Sequence, residues 1–252
     1  MTRPLQLELA VQDAAGVRVA LEVGADRVEL CSALRTTGGL TPSLGALEAA
    51  VTVGLPVHAL IRCRPGPFCY SVDEIAVMAR DAQLALQAGA AGVVIGALTT
   101  DCRIDVGAMA QLCEGVWSIA PQASITCHRA MDVAVNCGQA AEAVDALAAL
   151  GVTRVLTSGG AGHAVDGQLA QLVHLASGRL QIMAGGGVRA GDVAKLAASG
   201  VDAVHLSASS QVLLGDATSG PGGGTSDLVD VTDLSKAQAV AAAVAAVNAG
   251  RN

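Results

Sequence analysis

The stretch GADRVELCSALRTTGGLTPS (residues 24–43) opens on a glycine, runs through a short apolar strand and breaks into a loop carrying Gly38 and Gly39. Its first seven residues return three more times, as GAAGVVI (89–95), GVTRVLT (151–157) and GVDAVHL (200–206). A glycine that ends a helix, two connecting residues and a buried strand form one helix-to-strand turn, used four times over. That echo favours one repeated architecture over two unrelated domains.

Working outward from it, apolar runs rich in β-branched residues recur roughly every 25 to 30 residues, each followed by an Ala/Leu-rich stretch of helical length. The strands read as LQLELA (5–10), RVELCS (27–32), VHALIRC (57–63), GVVIGAL (92–98), SITCHRA (124–130), RVLTSGG (154–160), LQIMAGGG (180–187) and AVHLSA (203–208). Helices are expected at about 12–23, 43–53, 73–88, 105–117, 138–149, 166–177, 190–198 and 235–249, with Asp73, Asp105 and Asp166 as caps and Gly24, Gly89, Gly151 and Gly200 as ends. Eight such pairs in 252 residues match an α/β chain folded as a single (β/α)8 TIM barrel spanning 1–252. Alternation alone does not prove closure, so a doubly wound sheet is the alternative. A Gly-rich flexible loop is expected over 213–230, before the last helix.

Composition narrows the partners. Apolar residues make up 52 % of the chain and aromatics 1 %, so the core is aliphatic. The net charge of −7, and lysine only at 195 and 236, leave no electrostatic footprint for nucleic acid. With no leader-like N-terminus and no apolar run of membrane-spanning length, a cytoplasmic protein with no membrane partner is expected. Seven cysteines, an odd count without paired spacing, are read as free thiols rather than a disulfide framework.

In a barrel, chemistry gathers at the C-terminal ends of the strands. Polar residues stand there in this chain: Glu8, Glu29 with Cys31, Arg62 with Arg64, His128 with Arg129, Ser158, and His205 with Ser207. Side chains alternate faces along a strand, so Glu29 shares a face with Cys31, Arg62 with Arg64, and Thr126 with His128. Burying a lone carboxylate costs several kcal/mol. Glu29 therefore needs a partner, for which Arg62 or Arg64 is suited through a bidentate pair. Two of the three aromatics, Phe68 and Tyr70, fall in the loop after the third strand, as for a lid or pocket wall. Glycine clusters TSGGAG (157–162) and AGGGV (184–188) offer backbone N–H groups for an anion, around Ser158, Gly159, Gly160, Gly185, Gly186 and Gly187. Cys31, Cys63 and Cys127 near strand ends are either soft ligands for Cu(I) or zinc, or inert buried thiols. No GxSxG, HExxH or P-loop motif occurs, and no lysine ends a strand, which disfavours Schiff-base chemistry.

These residues sit in ADRVELCSAL, GGLTPS, IRCR with FCYS, AGAAGVVIGALT with IDV, CHRAMD, LGVTRVLTSGGA, IMAGGGVRAGDV and HLSAS, and in that order the chain resembles the CutC copper-homeostasis family over about residues 5–209. The resemblance implies a cytoplasmic barrel that binds copper and self-associates as a homodimer or higher homo-oligomer. It carries over Glu8, Glu29, Cys31, Arg62, Arg64, Tyr70, His128, Arg129, Asp132, Ser158, the glycines at 159, 160 and 185–187, and His205. The chain departs from the family's pattern at Leu9, at Arg62–Pro67 and at Cys127. Two functions follow as expectations. One is Cu(I) binding with Cys31 as ligand, assisted by His128 or His205. The other is an enzyme using His128 and a carboxylate, Glu8 or Glu29, on a small anionic or phosphorylated substrate held by Arg62, Arg64 and the glycine loops.

Overall fold

Residues 3–164, 166–213 and 228–251 are described by a computed structural model of the chain. Eight parallel strands, β1 (Gln6–Val11), β2 (Arg27–Leu30), β3 (Val57–Leu60), β4 (Gly92–Ile95), β5 (Ser124–Cys127), β6 (Arg154–Thr157), β7 (Gln181–Gly185) and β8 (Ala203–Leu206), pair in sequence order, and β8 returns to β1. The ring is closed by Glu8 opposite Arg27 on one side and His205 on the other. The doubly wound alternative is thereby excluded.

The strands are shorter than the apolar runs that predict them, because pairing stops where each chain turns out over the rim. The polar ends of those runs, Arg62, His128 and Ser158 among them, stand just beyond the last paired residue. Around the barrel lie α1 (Ala14–Glu22), α2 (Leu34–Thr37), α3 (Leu44–Val51), α4 (Val72–Gln87), α5 (Val106–Ile119), α6 (Ala130–Asn136), α7 (Ala140–Ala149), α8 (Asp166–Ala176), α9 (Val193–Ala198) and α10 (Leu234–Ala249). Caps set their starts: Asp13, Ser43, Asp105 and Asp233 each accept a backbone N–H from the first turn. For α4 the cap is Ser71, boxed with Glu74, rather than the expected Asp73, which stands inside the first turn. The four echoed glycines all take the left-handed conformation, with φ of +71° at Gly24, +99° at Gly89, +74° at Gly151 and +88° at Gly200, which is why the motif requires glycine.

Four elements were not anticipated. The short α2 falls in a segment read as loop and α6 in one assigned to no element beyond Ala130, and a two-stranded antiparallel ribbon, β9 (Ser209–Leu213) with β10 (Leu228–Thr232), flanks residues 214–227. The expected Gly-rich loop over 213–230 thus has strands at its ends, and its centre lies outside the described residues. The free-thiol reading is corrected at two positions: Cys102 and Cys137 form a disulfide between the turn after β4 and the end of α6, a pairing that a separation of 35 residues hides from sequence spacing. Cys31, Cys63, Cys69, Cys113 and Cys127 are free.

Outward-facing strand residues such as Leu7, Val28, Val93, Ile125 and Val155 pack under the helices with at most 2 % exposure. The inward face is different. Its lower level is polar: Arg27 ion-pairs with Glu8, donates to Thr126 Oγ1 at 3.1 Å and lies 3.2 Å from His58 Nε2. Arg154 binds Gln181 Oε1 from Nε and Nη2, at 3.0 and 2.6 Å, and also Gln6. Small apolar clusters, Leu156–Met183–Ala203 and Cys31–Leu60–Val94, fill the remaining interior.

Candidate functional site

Above the polar floor the barrel mouth encloses a cavity of about 670 Å3. Its deep wall carries Glu29, His128 and His205. Leu34, Leu60, Phe68 and Leu206 form apolar sides. Among the described residues, Arg62, Arg129, Arg189 and Lys236 bring four cations to it, against a single carboxyl.

Glu29 is 5 % exposed, and its Oε2 has no hydrogen-bond partner. Burial is the main cause that raises its carboxyl to about 7; the neighbouring Glu8 raises it further, against lowering by His205 and Arg27. The expected pairing with Arg62 or Arg64 is corrected. Arg62 donates instead to the carbonyls of Thr37, Gly39 and Gly66 at 2.8, 3.0 and 3.0 Å. It thus clips the loops after β2 and β3 together while its charge still faces the cavity. Arg64 does not reach the mouth: past the last β3 pair the strand alternation no longer applies, and Arg64 pairs with Glu74 and donates to the carbonyls of Pro67 and Cys69.

Glu8 is fully buried beneath the cavity, between Arg27 and His205, with His205 Nδ1 2.6 Å from its Oε1. Burial alone would raise its carboxyl, but Arg27 and then His205 outweigh it and hold Glu8 at about 2. The same contact raises the His205 imidazole against its burial, so a hydrogen-bonded carboxylate–imidazole pair stands below Glu29.

His128 is 5 % exposed and stacks on Phe68 with ring centroids 4.6 Å apart. Gly96 makes room for it, since a Cβ there would lie 2.4 Å from the ring. Burial and then Arg62 lower His128 to about 3, so the ring is neutral at ordinary pH. Its Nδ1 accepts the Ala130 N–H at 3.1 Å, which assigns the proton to Nε2, a buried donor without a protein partner. Phe68 therefore serves the pocket wall, whereas Tyr70 packs against Arg64, 4.9 Å from ring centroid to guanidinium.

The anion-binding expectation divides in two. Gly186 and Gly187 line the cavity, with Gly185 just below. The Ser158–Gly160 turn does not line it, because its donors are already taken by a carboxylate of the protein. Asp132 accepts from Ser158 N at 2.9 Å, Ser158 Oγ at 3.0 Å, Gly160 N at 3.3 Å and Thr157 Oγ1 at 2.5 Å. The Gly159 N–H goes to Thr157 Oγ1 at 3.0 Å. Asp132 also receives Arg129 Nε at 2.6 Å, so it is a positioning residue that aims Arg129 rather than a group facing the cavity.

Cys31 is fully buried behind Leu60 and Gly39 and does not line the cavity. Burial, then Glu29, drive its thiol far above the ordinary range. Cys127 and Cys113 are pushed by burial to about 12 and 11. Among the described residues, Glu8, Glu29 and His205 are the group whose ligand atoms approach as a metal site would need, all within 4.8 Å. Sequence reasoning missed Arg27, His58 and Arg154, which share the parity of the cavity residues but lie in the first two positions of their strands, and Arg189 and Lys236, which come from the segment after β7 and from α10.

The Glu29 carboxyl gives a pH prediction. A carboxyl raised from 4.5 to about 7 on folding contributes stability that is complete below pH 4.5 and lost as pH rises through 7. Glu29→Gln should remove that loss, so from pH 5 to pH 8 the variant should gain about 1–3 kcal/mol on wild type in urea unfolding. Parallel pH profiles would show that Glu29 titrates normally.

Three comparisons bear on the chain. The sequence profile described as the CutC family matches residues 5–210. A family protein CutC of Agrobacterium fabrum is 44 % identical over 82 % of this chain and 80 % of its own length. One from Vibrio cholerae is 40 % identical over 96 % and 97 %. The solved structure of CutC from Streptococcus agalactiae, provisionally described as a copper homeostasis protein, superimposes with a TM-score of 0.70 at 29 % identity, covering 80 % of this chain and 98 % of that one.

Proposed function

This chain belongs to the CutC family, and from that premise and the geometry of its mouth we propose that it is an enzyme of acid–base chemistry on a small anionic substrate. One observation carries the reading. Two residues of one cavity wall, Glu29 and His128, each carry a buried polar atom without a protein partner, Glu29 Oε2 and His128 Nε2, and four cations among the described residues rim that cavity. Buried polar atoms left unpaired cost about 1–3 kcal/mol each, and a bound ligand is a natural partner for both.

The roles follow from the protonation states. A carboxyl near 7 can take or return a proton at ordinary pH, so Glu29 is assigned as the general base and acid. Neutral His128 donates its Nε2–H to a substrate oxygen on which charge builds. Buried His205, whose imidazole Glu8 draws toward the protonated form, favours the ionised form of Glu29 and of any negative centre formed beside it. Once a substrate is in hand, Glu29→Gln should lower kcat by about 10²–10⁴-fold.

Malonate provides the test. It should raise the melting temperature of wild type, and this rise should vanish in His128→Gln. Its affinity should fall from pH 6 to pH 8 in wild type, as Glu29 ionises, and stay level in Glu29→Gln. An equal rise in wild type and His128→Gln would remove the reading.

Copper homeostasis is the role printed for the Streptococcus agalactiae protein, and Cu(I) on Cys31 is how that role would extend to this chain. The donor chemistry does not support such a site. Cu(I) takes soft thiolates, whereas the thiol of Cys31 is held protonated away from the cavity. The carboxylate oxygens of Glu8 and Glu29 are hard, His205 Nδ1 is bonded to Glu8, and Arg27 already occupies Glu8. Competition with a Cu(I) chelator should give an affinity no tighter than about micromolar, unchanged in Cys31→Ala; a much tighter site lost with Cys31 would restore copper binding. Cytoplasmic location and self-association remain part of the proposal on the strength of the resemblance. Among the described residues no helix is long and apolar enough to cross a membrane.

A further inference from the structure

Resting on the reading of the mouth as an anion site, we infer that the substrate is a phosphomonoester, its phosphate seated between the Gly186–Gly187 turn, Arg129, Arg189 and Lys236 and its reacting end directed down to Glu29. The cavity is chemically two-ended. The strand ends contribute Glu29 and His128, and the segment after β7 and α10 contribute Arg189, Val240 and Lys236, with no carboxylate from these two among the described lining residues.

At this outer end backbone and guanidinium are already in register. A Cβ on Gly186 would lie 3.4 Å from Arg129 Cζ and 3.5 Å from its Nη2, so the arginine rests against Gly186, while the His163 imidazole packs on Gly187. Gly186 and Gly187 follow each other with φ of +107° and +70°. Arg129 lines the cavity and spends Nε on Asp132 and Nη2 on Ser158 Oγ and the Ala161 carbonyl, which leaves Nη1 without a bond among these. Arg189 is exposed, and Lys236 reaches across from α10 to the Ser209 carbonyl at 2.6 Å, on an ammonium with further donors to give. The first turn of α10 does not hold the anion itself, because Asp233 caps it through Lys236 N.

Three cations lining one cavity match a dianion better than a monocarboxylate. A tetrahedral group offers oxygens in three directions, toward Arg129, toward Arg189 and toward Lys236, where a planar carboxylate meets two. The apolar stretch between the two ends accommodates the carbon skeleton that joins phosphate to reacting centre.

Calorimetric titration with inorganic phosphate at pH 8 tests the assignment, with malonate as the carboxylate comparison. Phosphate should bind wild type at least tenfold tighter than malonate, and Arg189→Ala/Lys236→Ala should weaken phosphate at least tenfold. The equal-charge control Arg179→Ala/Lys195→Ala, on exposed residues away from the mouth, should change it less than threefold. Equal losses in the two double variants would reduce the effect to net charge and overturn the assignment, as would phosphate binding that ignores Arg189 and Lys236. Malonate bound through His128 without phosphate binding would leave the acid–base reading standing and sink the phosphomonoester alone; binding of neither would sink both.

Discussion

Arg27→Met should lower the unfolding free energy by about 3–5 kcal/mol at pH 7, the loss typical when one partner of a buried ion pair is removed and the other is left. Arg27 has 10 % of its side chain exposed and Glu8 none, so water cannot replace the guanidinium. The variant also strips Thr126 Oγ1 of its donor. The sign of the pH dependence is fixed. Glu8, lowered from 4.5 to about 2, contributes stability that is present above pH 4.5 and lost as pH falls through 2. The deficit of Arg27→Met should therefore be widest near neutrality and narrow below pH 4.5. The double variant Glu8→Gln/Arg27→Met should recover a large part of it, because a neutral pair no longer strands a charge. Urea unfolding of the single and double variants at pH 7 and pH 4 decides the matter; a double variant no more stable than the single one would show that packing, not charge, is what Arg27 provides.

Asp132→Ala is expected to cost about 3–4 kcal/mol through a different mechanism. The carboxylate, 6 % exposed, satisfies two backbone N–H groups, two hydroxyls and the Arg129 guanidinium. Its removal leaves a ready-made anion cradle in the turn after β6. Added formate should then raise the melting temperature of Asp132→Ala well beyond its effect on wild type, restoring a carboxylate to the vacated place. Absence of rescue would mean that the turn collapses without its side chain. Because Arg129 loses its tether, phosphate affinity should fall in the same variant and return with formate.

The barrel was legible because its signal is repeated: four left-handed glycines, each entering a buried strand, leave little freedom in where strands begin. The face of each strand was legible too, since alternation placed Glu29, Thr126 and His128 inward. Alternation failed at Arg64 because the β3 ladder ends at Leu60 and Pro65 bends the chain. The same rule assigns Arg27, His58 and Arg154 to the interior, but attention to strand ends passed over residues in the first two positions of strands. The Ser158–Gly160 turn reads as an empty anion nest in the sequence, because nothing local shows that a carboxylate 26 residues earlier fills it. Lys236 was out of reach for a related reason: what brings it to the mouth is the packing of α10, not any pattern near it.

Arg62 gives its guanidinium to carbonyls from two separate loops, those of Thr37 and Gly39 and that of Gly66. The segments 33–41 and 63–70 are therefore one unit of inheritance. A chimaera importing either segment from a relative with a differently shaped partner would strand acceptors that the arginine now serves, whereas importing both together would keep the knot intact. Recombination breakpoints in this architecture should accordingly avoid the interval between them.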